Sequence, residues 1–188
     1  MLVAALKLFE TPEGPVLEDF PDAAPVSDDP IALACPVSLP EAEVDLNETE
    51  KFCRDFTREI TSLRPWYDRA VKDRNRSAVG VSKLSQEEIA ALLCSFLSGD
   101  NPENPREEVP FDKQIRYVAD DLKAYYFEAI TAQPGAEKLS GDAIEKWFWE
   151  DTLAAKVLKG IKEVLSNSED EALKQTGARA LVPQKFAT

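Results

Sequence analysis

Apolar residues recur at helical spacing in four stretches of this chain, and local start and stop signals punctuate them. The first stretch places Phe52, Phe56, Ile60 and Leu63 on one face of an amphipathic helix over residues 48–63. Asn47 followed by Glu50 forms its capping box. Pro65 lacks the amide donor a helix interior needs, so the spacing predicts an end or a kink there, with helical pattern resuming from Trp66 to Lys72. Residues 74–80 read as a polar loop, in which Gly80 stands alone and makes no recognisable motif.

Ser85 with Glu88 opens a second helix through Ile89, Leu92, Leu93, Phe96 and Leu97, which Gly99 is placed to close. A proline-rich loop follows. Ile115, Val118, Leu122, Tyr125, Tyr126, Ala129 and Ile130 predict a long helix over 112–132, stopped by Pro134-Gly135. Asp142 with Glu145 starts a fourth, whose inner face runs from Ile144, Trp147 and Phe148 to Ala155, Leu158, Ile161 and Leu165. On that register Asp151 falls on the apolar face. A short helical piece over 169–174 and an apolar tail, Ala180-Leu181-Val182, complete the chain. The expected fold is mostly α: an irregular helical bundle of about four main helices over 47–188, behind an extended proline-rich N-terminal arm over 1–46.

Seven of the thirteen prolines lie in that arm, leaving no room for an ordinary helix. Its apolar residues, among them Leu17, Phe20, Ile31 and Leu33, predict packing on a surface, its own or a partner's. Residues 1–9 read as part of the fold, a short strand or a helical turn, and lack the basic region of a signal peptide. Pairing of this segment with the tail around Leu181 has no support in the pattern. Trp147-Phe148-Trp149 and Tyr125-Tyr126-Phe127 put rings on both faces of their helices; core packing is the default expectation, with cover by the arm or an exposed apolar patch for another protein as the alternatives.

Charge divides the chain in the same way. Of a net charge of −13, residues 1–50 carry −11, with twelve acids against Lys7 alone. Residues 51–83 reverse sign, with nine bases and four acids. An acidic arm beside a basic helix can fold back onto it, dock on a basic partner, or screen the helix until a partner arrives. Within the basic stretch, Arg64, Trp66, Tyr67, Arg69, Arg74 and Arg76 mix guanidinium forks with stacking area, a combination enriched at binding surfaces. These six, with Leu17 and Phe20 of the arm, are the candidate partner- or ligand-binding residues. The overall charge argues against a nucleic-acid backbone as the ligand.

Several chemistries drop out on composition. The chain has no histidine, which removes the commonest general base and transition-metal ligand, and every Ser-His or Cys-His nucleophile. No phosphate-binding glycine loop or Gly-x-Ser-x-Gly elbow occurs. No catalytic residues, cofactor or metal ligands are assigned. Carboxylates at Asp120, Asp121, Glu128, Glu150 and Asp151 leave only an all-oxygen cation site open, and pairing with basic groups is the simpler expectation. Cys35, Cys53 and Cys94 are odd in number and widely spaced, so reduced thiols and a cytoplasmic location are expected. No apolar run is long enough to span a membrane.

These features point to a non-catalytic accessory or assembly protein, chaperone-like, that binds a larger partner protein through its arm and the basic, aromatic helix surface. Two alternatives share the composition. One is a small non-catalytic subunit of a multi-subunit enzyme. The other is a helical-bundle enzyme or small-molecule-binding protein built on Tyr125, Tyr126, Asp120 and the arginines.

Overall fold

A computed structural model describes residues 6–10, 46–136 and 139–186. Leu17, Phe20 and Cys35 lie outside them, as does nearly all of the proposed arm. Among the described residues the fold is mostly helical and contains no strand. Six α-helices follow one another: α1 (Glu48–Arg74), α2 (Gln86–Leu97), α3 (Phe111–Ile130), α4 (Gly141–Asp151), α5 (Leu153–Ser166) and α6 (Glu171–Arg179). Leu8–Glu10 and Gln184–Phe186 form single 3-10 turns. Phe9, expected to be part of the fold, is 87% exposed.

α3 packs chiefly on α1, α6 chiefly on α5, and α2 bridges the two pairs. Ile115, Val118, Leu122, Tyr125, Tyr126 and Ile130 of α3 are fully buried at the centre, with Phe56 of α1 and Phe148 of α4. The final segment closes the core: Leu181 is fully buried, and Phe186 stacks on Trp149 with ring centroids 5.8 Å apart. Gly177 of α6 allows a close approach to α5. A Cβ there would stand 2.8 Å from the Leu165 Cβ and 3.0 Å from the Ser166 backbone nitrogen.

Three local expectations change. α1 runs through Pro65 without ending. Proline removes one hydrogen bond, to the Thr61 carbonyl, but Pro65 is exposed while Ile60, Leu63 and Ala70 stay buried on either side. Packing of that face carries the helix past the breaker. Both predicted capping boxes, Asn47 with Glu50 and Ser85 with Glu88, are formed.

The predicted fourth helix is two helices. Its start is capped by Ser140, which accepts from the Ala143 amide at 3.1 Å, in place of Asp142. It then breaks at Thr152, whose backbone is extended. The Thr152 hydroxyl donates to the Phe148 carbonyl at 2.7 Å and accepts from the Ala155 amide at 3.2 Å, so it ends α4 and caps α5. Glu59 of α1 supports the break by accepting from the Leu153 and Ala154 amides at 2.9 and 3.2 Å. The break resets the helical phase, which leaves Asp151 exposed and all three of Trp147, Phe148 and Trp149 buried. The rings of this run thus pack as core, the default expectation for them.

Cys53 and Cys94 form a disulfide between α1 and α2, with Cα atoms 5.8 Å apart. The expectation of reduced thiols is corrected for this pair, and the premise for a cytoplasmic location goes with it. The two cysteines are 41 positions apart, a spacing that sequence cannot distinguish from two unrelated core thiols. No helix among the described residues is long and apolar enough to cross a membrane.

Candidate functional site

The six candidates on α1 and just beyond it separate into three groups. Trp66 and Tyr67 pack against the core, with the Tyr67 ring 4.7 Å from that of Tyr125 and its hydroxyl 3.0 Å from Ser77 Oγ. They serve the fold. Arg64 and Arg69 are held by carboxylates: Arg64 by Asp68 at 3.0 Å and Glu87 at 3.6 Å, Arg69 by Asp73 at 3.5 Å. The hydrogen bond to Asp68 raises the Arg64 pKa further. Earlier in the helix, Arg54 and Arg58 both meet Asp55.

Arg74 and Arg76 differ from these four. Neither makes an ion pair among the described residues. Arg74 Nη2 donates to Thr131 Oγ1 at 2.7 Å, which orients the guanidinium across the end of α3. Asn75, between them, adopts the left-handed conformation (φ 51°) that ends α1, and this turn brings Arg76 round towards the same side. Together with Ser77, Ala78 and Glu128, the two arginines line a cleft of about 330 Å³.

The wall of the cleft is a loop tied to α3 by side-chain hydrogen bonds, beside the packing of Val79 against the core. Glu128 accepts from Ser77 Oγ at 2.8 Å and from the Ala78 amide at 2.7 Å. Asp121, fully buried, accepts from the Gly80 and Val81 amides through Oδ1 (2.9 and 3.1 Å) and from the Ser82 amide through Oδ2 (2.9 Å). The Ser82 hydroxyl adds a fourth bond at 2.5 Å. Gly80 has a φ of 125°, which a side chain rarely adopts, and this lets consecutive amides turn towards one carboxylate. Gln114 Nε2 donates to the Ser82 carbonyl at 2.9 Å, and Arg106 donates to the Val81 carbonyl at 3.0 Å.

Gln114, Asp121 and Glu128 stand seven residues apart, two helical turns each time, so they form one polar stripe along α3. That spacing was the available signal for the loop's position. Sequence reasoning used Asp121 and Glu128 only as metal candidates and overlooked Ser77, Ala78 and Thr131. Their carboxylates are engaged by the loop, Asp120 pairs with Lys123 at 2.9 Å, and Glu150 lies 3.9 Å from Lys146. Among the described residues no group of three acids or cysteines is placed to hold a metal.

Tyr125 and Tyr126, proposed to surround a small molecule, are fully buried and donate inwards, to the Ile60 carbonyl at 2.7 Å and to Glu59 Oε1 at 2.8 Å. Burial pushes both hydroxyl pKa values up, and the Glu59 charge adds to the effect at Tyr126. Neither faces the cleft. No protein-family model matches this chain, and no curated protein or solved structure shows significant similarity to it.

Proposed function

We propose that this protein is a non-catalytic accessory or assembly protein that binds a larger partner through the arginine-lined end of α1, with the acidic N-terminal arm contributing to the same encounter. One observation carries the reading: among the described residues Arg74 and Arg76 share a cleft without a carboxylate partner, while the four preceding arginines of α1 each have one. An unpaired, oriented guanidinium pair is a surface prepared for an incoming acceptor. Arg74, which Thr131 already holds, also brings little ordering cost to an interface. The absence of histidine and of a nucleophile–base pair in the sequence favours binding over catalysis.

Affinity capture from the native cell tests the reading. The full-length chain should retain one dominant larger protein at stoichiometric yield, and the variant carrying Arg74→Gln and Arg76→Gln should lose most of it. A wild-type chain that retains no protein would leave the accessory reading without support.

A further inference from the structure

We propose that the cleft at the end of α1 is a binding site for a singly charged carboxylate, the side chain of a glutamate or aspartate in an acidic peptide segment of the partner. This rests on the partner-binding reading and names the chemistry of that same site.

The charge around the cleft selects the ligand. Arg74 and Arg76 contribute two positive charges and Glu128 one negative, a formal +1. α1 ends at Arg74 and α3 at Ile130, so two helix C-termini also face this region. Each adds roughly half a negative charge within its last turn. Together they offset the formal +1, so the site holds no surplus charge for a phosphate dianion, and a single carboxylate is held by charge-assisted hydrogen bonds to the guanidiniums. Glu128 does not itself neutralise the arginines: its oxygens accept from Ser77 and Ala78, and no ion pair joins it to Arg74 or Arg76.

Geometry agrees with charge. The guanidinium of Arg74 is fixed through Thr131, and a planar fork held in place meets a planar carboxylate through two parallel hydrogen bonds. A volume of about 330 Å³ is at the lower end of the range for ligand sites, enough for one acidic side chain and some adjoining backbone. Glu128 at the rim is a like charge to any acidic ligand, so a second carboxylate beside the first is repelled. The site therefore reads a single acid, and the segments flanking it in the partner supply the rest of the contact.

Titration of the 15N-labelled full-length protein, disulfide intact, tests this through the arginine Nε–H signals. Three blocked tripeptides serve as probes, with a central glutamate, glutamine or phosphoserine. A parallel series uses a full-length variant whose nine acids within residues 11–45 are replaced by Asn or Gln, in case those acids already fill the cleft. The expected result is a saturable shift of the Arg74 and Arg76 signals with the glutamate probe, at least about tenfold weaker with glutamine. Phosphoserine should bind no tighter than glutamate. Arg74→Gln or Arg76→Gln should weaken glutamate binding by about tenfold, and Lys156→Gln, at an exposed site on α5, should not. Tighter binding of phosphoserine, equal binding of glutamine, or no shift in either chain would overturn the proposal. Capture separates the two claims. A partner retained equally by wild type and the double arginine variant sinks the cleft assignment while the accessory reading stands. If wild type captures nothing, the reading falls, and the titration still decides the cleft.

Discussion

Along α3, one face buries Ile115, Val118, Leu122, Tyr125 and Tyr126 in a dry core, while the flank beside it carries Gln114, Asp121 and Glu128 against the backbone of residues 77–82. The first contact gains free energy from apolar area removed from water, and any side chain of similar shape serves it. The second depends on particular donors meeting particular acceptors, and a lost acceptor leaves several buried amides without one. Core and strap thus respond differently to perturbation, although one helix holds both. The strap side is also where the cleft forms, so hydrogen bonds hold the wall of the proposed binding surface.

Substitutions on each side should separate the two. Phe148→Ala empties a fully buried ring site among Tyr126, Phe127 and Trp149 and should cost about 3–5 kcal/mol in chemical denaturation. Amide exchange at residues 80–82 should then accelerate only as far as global unfolding does. Asp121→Ala should cost less, about 2–3 kcal/mol, with a different signature. Exchange at Gly80, Val81 and Ser82 should rise far above that of the α3 core, and an unchanged pattern would show that the strap is held by something else.

Alkali tests the core side alone. Tyr125 and Tyr126 favour the neutral hydroxyl in the folded chain, so the stability they confer is full below the ordinary tyrosine pKa of about 10 and is lost as pH rises above it. A modest fall in the denaturation midpoint by pH 10.5, with tyrosinate absorbance from both residues appearing only on unfolding, is the expected outcome. The mildest change is Glu128→Gln, at a partly exposed site: about 0.5–1.5 kcal/mol, with exchange faster at Ala78 than at Ser82. Equal acceleration at both amides would mean the strap opens as one unit.

The same contrast explains what could be read from the residues. Faces such as Ile115–Val118–Leu122 announce themselves because burial acts on every apolar residue at one period, and capping boxes such as Ser85 with Glu88 are local. The break at Thr152 is not local. It depends on Glu59, ninety-four positions before Leu153, accepting the amides that the break frees. Likewise Pro65 sits inside a continuous helix because distant packing outweighs one missing bond. Among the arginines, Asp68 and Asp73 lie four residues after Arg64 and Arg69, a pairing open to sequence, while Ala78 and Gly80 lie four after Arg74 and Arg76. The placement of acceptors one turn away divides the two pairs.

The Cys53–Cys94 bond makes a closed ring of the chain between those positions, and this ring contains most of α1, the whole strap and most of α2. A protease that cuts after exposed Arg74 or Arg76 therefore opens a loop without producing two molecules. Nicked protein should migrate as one species in non-reducing electrophoresis and as two fragments after reduction. A severed strap would thus stay tethered to its fold, an integrity that the peptide backbone alone does not provide.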